Sequence, residues 1–116
     1  MSLDPAVLNP AAVEAELIRF VSLLEKATQE TARRGKRAAE AEVAYRVAFA
    51  KAILVAEGTV AERDAHATIV TERELLARRL HEASLDAARD ASRNLREQLG
   101  ALRTVNANLR ELIQHG

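Results

Sequence analysis

Cysteine is absent from this 116-residue chain, which removes disulfides, thiolate nucleophiles and cysteine-ligated zinc and leaves the redox compartment open. Tryptophan is absent too, and Phe20, Tyr45 and Phe49 make up the whole aromatic content, 3% of residues. So few rings supply neither a base-stacking platform nor the lining of a large ligand pocket. Seventeen basic and 17 acidic side chains cancel to a net charge of +0. No global basic field therefore holds the chain on nucleic acid or an anionic membrane, and any anion site must be local. No stretch approaches the roughly 20 apolar residues that span a bilayer. Residues 1–9 carry neither a basic opening nor an apolar run of leader length. The expectation is a cytoplasmic protein with no membrane partner.

With 4 glycines and 2 prolines, few residues interrupt helices, and the hydrophobic 48% is mostly Ala, with Leu and Val next. Together with 29% charged residues, this is the composition of long helices. The length suits one all-α domain over residues 1–116. Asn9 before Pro10 offers a capping oxygen and a proline at the first helical position, with Leu8 and Val13 as a hydrophobic staple. From there, Val13, Leu17, Phe20, Leu24, Ala27, Thr31, Ala38, Ala41, Tyr45, Ala48 and Ala52 step by threes and fours. The spacing predicts one helix over 10–57, about 70 Å long at 1.5 Å per residue. Gly35 is its weak point, costing about 1 kcal/mol relative to Ala. Gly58 supplies the stop. Residues 58–71 read as a connector, in which Thr59 and Glu62 form a capping box that starts a short helix ending near His66. Thr71 and Glu74 form a second box, with Val70 and Leu75 as staple, opening a second long helix over 72–113. Gln114, His115 and Gly116 are expected to fray.

Two long helices joined this way fold back as an antiparallel, coiled-coil-like hairpin. If Glu57 lies near Glu72, residue i faces about 129 − i, which sets Leu17 by Leu112, Leu24 by Val105 and Tyr45 by Ser84. One seam between two helices leaves many large apolar residues outside it. Val47, Phe49, Ile53, Leu54, Leu76 and Leu80 therefore form a candidate oligomer interface, and a dimer closing a four-helix bundle, or a higher helical oligomer, is expected. The competing arrangement is a monomeric three-helix bundle in which the first helix breaks at Gly35.

The chemistry-bearing residues form no catalytic or metal constellation. Glu62 and His66 share a helical face, but one Glu and one His fall short of a metal site, and no Glu-x-x-His pair recurs as a dimetal bundle requires. Ser22, Ser84 and Ser92 lie within helices, and there is no glycine-rich phosphate loop. The reading is of a non-enzyme without cofactor. Arginine placement is more informative. Arg33, Arg34, Lys36 and Arg37 cluster on the first helix and, at 129 − i, come level with Arg93 and Arg96, close to Arg89. These seven are the candidate anion or DNA contacts, with weak, sequence-insensitive and salt-dependent binding expected. The competing reading is a surface of helical ion pairs such as Asp90 with Arg93.

The segments Ala44-Tyr45-Arg46-Val47-Ala48-Phe49-Ala50-Lys51-Ala52, Glu57-Gly58-Thr59-Val60-Ala61-Glu62-Arg63, and Leu99-Gly100-Ala101-Leu102-Arg103-Thr104-Val105-Asn106-Ala107-Asn108-Leu109-Arg110 resemble a family of small helical proteins. The family is encoded by tailed phages and prophages of Gram-positive, actinobacterial hosts, and the similarity covers roughly residues 40–112. Such genes lie among recombination and replication genes. The resemblance implies an accessory protein acting by protein–protein contacts in DNA recombination or replication, with itself and a phage or host DNA-processing protein as partners. It implies no catalytic residues. The alternative is a virion assembly component, a scaffold or tail chaperone. A secreted helical hairpin of the mycobacterial effector type fits less well, since the connector has no Trp-x-Gly turn.

Overall fold

The structure, a computed structural model, describes residues 9–115 and is all-helical. Three helices follow one another: α1 (Pro10–Val55), α2 (Val60–Val70) and α3 (Glu72–His115). The start of α1 is the expected one, because the Asn9 side-chain oxygen accepts from the Ala12 N–H at 2.8 Å. Leu8, its staple residue, lies outside the described residues, as does Gly116. Through Gly35 the helix continues without a break. Ala38 and the residues around it keep their seam positions, so one glycine in 46 residues is outweighed by the turns on either side.

α1 stops at Val55, two residues short of the expected end at Glu57. The Ala56 N–H is shared between the carbonyls of Ala52 (3.1 Å) and Ile53 (3.3 Å), the tightened last turn of a helix end. Gly58 then takes φ +106°, where a Cβ would lie 2.7 Å from Glu62 Oε2. Thr59 caps α2 as read, its hydroxyl oxygen accepting from the Glu62 N–H at 3.2 Å. α2, however, runs past His66 to Val70. Thr71, expected as the N-cap of the second long helix, instead closes α2: its hydroxyl donates back to the Ala67 carbonyl at 2.6 Å. Its backbone stays in the ladder, with Thr71 N–H to Ala67 O at 3.1 Å and Leu75 N–H to Thr71 O at 3.0 Å. A single residue at φ −107°, ψ 19° thus separates α2 from α3. At the other end α3 remains helical through His115, beyond the expected limit at 113.

The chain divides into two compact units, one holding the residues up to Glu30 and from Arg89 on, the other Thr31–Ala88. In the first, Phe20, Leu99 and the fully buried Leu102 form the core, with Leu17, Leu23, Leu24 and Leu95 packed on it. Val13 and Ser92 are buried there as well. In the second, the buried apolar residues are Ala38, Ala52, Ala67 and Ala88, joined by Thr71.

In neither unit is the pairing the expected 129 − i. Phe20 sits with Leu99 and Leu102 where Leu109 was expected. Arg34 Nη1 donates to the Ser84 carbonyl at 3.1 Å, and the Arg78 guanidinium stands 5.4 Å from the centre of the Tyr45 ring. The cause lies within the second unit. The chain reverses at 56–59, not across the whole connector, and α2 already lies back against α1, with Arg63 Nη2 donating to the Ile53 carbonyl at 2.9 Å. Reversing early draws α3 partners about a heptad lower than a 58–71 loop would.

Candidate functional site

The second unit carries the surface features that bear on function. Its inner seam on α1 passes through Arg34, Ala38, Ala41, Tyr45, Ala48 and Ala52, all buried or half-buried. A residue two positions further on points about 200° away at 3.6 residues per turn. Val43, Val47, Ala50 and Leu54 therefore occupy the opposite side of α1, and all four are exposed, Leu54 by 79%. α3 repeats the arrangement. Glu74, Arg78, His81, Leu85 and Ala88 face inward, while Leu76, Leu80, Ala83 and Ala87 face outward, Leu80 with 61% exposure. Each long helix of this unit thus carries an apolar stripe at heptad spacing on its outer side, and that stripe is uncovered.

The residues expected at an oligomer interface fall into two groups. Val47, Leu54, Leu76 and Leu80 are exposed. Phe49 and Ile53 are half-buried, Phe49 tilted at 48° to the Tyr45 ring with centroids 5.9 Å apart. Val43, Val55, Val60, Ile69 and Val70 are exposed too and were missing from the expected interface. Val60, Ile69 and Val70 had been assigned to a connector and its staple. The seven-residue step from Ile69 to Leu76 was the signal that would have found one of them.

The basic candidates are divided between the units. Arg33, Arg34, Lys36 and Arg37 belong to the second, and Arg89, Arg93 and Arg96 to the first. Arg34 occupies the inner seam and spends an N–H on the Ser84 carbonyl, which puts it at the level of Ser84 where Leu95 was expected. Arg33, Lys36 and Arg37 are exposed on α1, and Arg89, Arg93 and Arg96 on α3. Arg93 meets Asp90 at 3.3 Å, the ion pair its spacing foretold.

Elsewhere the chemistry is modest. Arg19 forms a forked pair with Glu16, with distances of 3.1 and 2.9 Å, and these hydrogen bonds hold the Glu16 carboxyl below its ordinary value. An open groove of about 440 Å³ in the first unit is lined by Val21, Leu24, Glu25, Thr28, Gln29, Leu99 and Arg103. In the second unit, Arg63 Nε and Glu74 Oε2 are buried with no hydrogen-bond partner. Among the described residues no group of three or more His, Asp or Glu is placed to hold a metal ion, and no helix is long and apolar enough to cross a membrane.

No family model, no curated protein and no solved structure matches the chain.

Proposed function

We propose that this chain is a self-associating helical protein, without catalytic chemistry or cofactor of its own, that works by presenting helix faces to other proteins. The observation that carries the reading is the inversion within residues 31–88, where alanines are buried while Val43, Val47, Leu54, Leu76 and Leu80 face water. Exposed apolar stripes of this kind mark contact sites. In this reading α1 and α3 form a coiled-coil-like antiparallel hairpin, and copies assemble through the outer faces into a dimeric four-helix bundle or a higher helical oligomer. The descending pairs Tyr45 with Arg78 and Arg34 with Ser84 support the hairpin. Light scattering at tens of micromolar should give at least a dimer. Leu54→Asp combined with Leu76→Asp should give a folded monomer, since both side chains are exposed. A monomeric wild type would overturn the reading.

The resemblance over residues 40–112 supports placing the protein in the host cytoplasm as an accessory to phage DNA recombination or replication, with a phage or host DNA-processing protein as partner. Arg33, Lys36 and Arg37 supply a patch able to neutralise phosphates weakly. Exchange of these three for Gln, sparing Arg34, should lower both DNA affinity and its salt slope, and absence of wild-type binding at low salt would leave the patch as an ion-paired surface. A second reading, a scaffold or tail chaperone of the virion, is favoured by one observation: outer faces on both α1 and α3 suit open copolymers. Mass spectrometry of purified particles separates the two.

A further inference from the structure

The self-association reading leaves open which of the two outer faces meets which, and side-chain size and charge along the two stripes distinguish them. On α3 the outer stripe reads Leu76, Leu80, Ala83, Ala87, stepping by four, three and four. Laid antiparallel on a second copy of itself, it sets Leu80 against Ala83 and Leu76 against Ala87, a large residue over a small one at every level. The charges agree with the sizes. Arg79 and Asp86 flank the stripe on the same side, and in that register each Arg79 comes within about one helical turn of Asp86 of the second copy, twice by symmetry. The outer stripe of α1 fares differently. Laid on itself, it sets Val47 against Ala50 but Val43 against Leu54, two large residues at one level, and the flanks bring Arg46 to Ile53 and Ala44 to Lys51, with no charge paired. An α1 stripe on the α3 stripe of another copy has no twofold axis and grows an open chain unless its rotation closes a ring.

We propose that a second copy of this chain docks on the outer face of α3, antiparallel, about a twofold axis beside His81 and Glu82, with Leu76, Leu80, Ala83 and Ala87 as the seam and Arg79–Asp86 as its flanking ion pairs. The proposal rests on the self-association reading and specifies its surface, with the helices of the two copies side by side in place of a closed four-helix bundle. It leaves the α1 face exposed on the dimer.

The absence of cysteine makes the test direct. In the full chain, Leu80→Cys with Ala83→Cys should give a covalent dimer in high yield on mild oxidation or with a short bis-maleimide. Val47→Cys alone, on the outer face of α1, should not exceed the yield of random collision. Arg79→Glu should weaken the dimer by about tenfold, and adding Asp86→Arg should restore it. If light scattering shows wild-type dimer but Val47→Cys cross-links in place of the 80/83 pair, or the charge reversal fails to rescue, the α3 seam is wrong while self-association stands. A monomeric wild type removes both.

Discussion

Residues 9–30 with 89–115 bury Phe20, Leu99 and Leu102, whereas residues 31–88 bury alanines and expose Val43, Val47, Leu54, Leu76 and Leu80. The same two helices pass through both units and keep the same heptad rhythm, so the contrast lies in side-chain size. Where the seam residues are large, the apolar stripe is consumed within the unit and contributes directly to folding. Where they are small, the backbones can approach closely, little apolar area is removed from water per residue, and the large side chains stay available for a partner. Periodicity therefore locates a seam, while residue volume tells whether that seam or the opposite face carries the apolar area.

The contrast can be broken most forcefully at Leu102, which is fully buried. Leu102→Ala should cost about 2–5 kcal/mol in denaturant unfolding. Leu80→Ala, the same chemistry on the outer face of the other unit, should change monomer stability by less than about 0.5 kcal/mol and instead raise the dimer dissociation constant. Equal losses at the two sites would contradict the distinction. Next in size is Ala67, also fully buried, where helices of the second unit meet. Ala67→Leu should destabilise by about 1–3 kcal/mol if that interior is closed around alanine; a neutral or stabilising result would reveal unfilled space. The smallest effect sharpens the picture of α1. At Gly35 an added Cβ would stand 3.8 Å from Leu85 Cδ1, an ordinary contact. Gly35→Ala should raise stability by about 1 kcal/mol with an unchanged circular dichroism spectrum.

Helix type, the starts at Asn9 and Thr59 and the inner seam were legible because each rests on local chemistry: a capping oxygen, a proline, a heptad spacing. Register was not. It depends on where the chain reverses, and the sequence offered Gly58 and the Thr71–Glu74 box as equally good punctuation. Thr71 turned out to donate to Ala67 rather than cap α3, because a hydroxyl can serve either helix and burial beside Ala67 decided between them. The reversal at 56–59, with α2 running on to Val70, accounts for the shifted pairing of Arg34 with Ser84. Among the candidate interface residues, Val47, Leu54, Leu76 and Leu80 are exposed, while Phe49 and Ile53 are half-buried because Tyr45 and the returning Arg63 lie beside them, contacts that follow from the reversal.

The turn at 56–59 also dictates an order of events in folding. The Arg63–Ile53 contact joins residues 10 apart in sequence, the Arg34–Ser84 contact residues 50 apart. By loop-closure entropy the second costs about 1.4 kcal/mol more than the first if each forms alone. Capped by Thr59 and bent at Gly58, the reversal is the least expensive place to begin, and each contact made from there shortens the loop that the next must close. Residues 31–88, with their thin alanine interior, are thus the first to assemble. The Phe20–Leu99–Leu102 core, which joins the residues most distant in sequence, is expected to lock last. Folding rates should be sensitive to Gly58 and Thr59, and unfolding rates to Leu102.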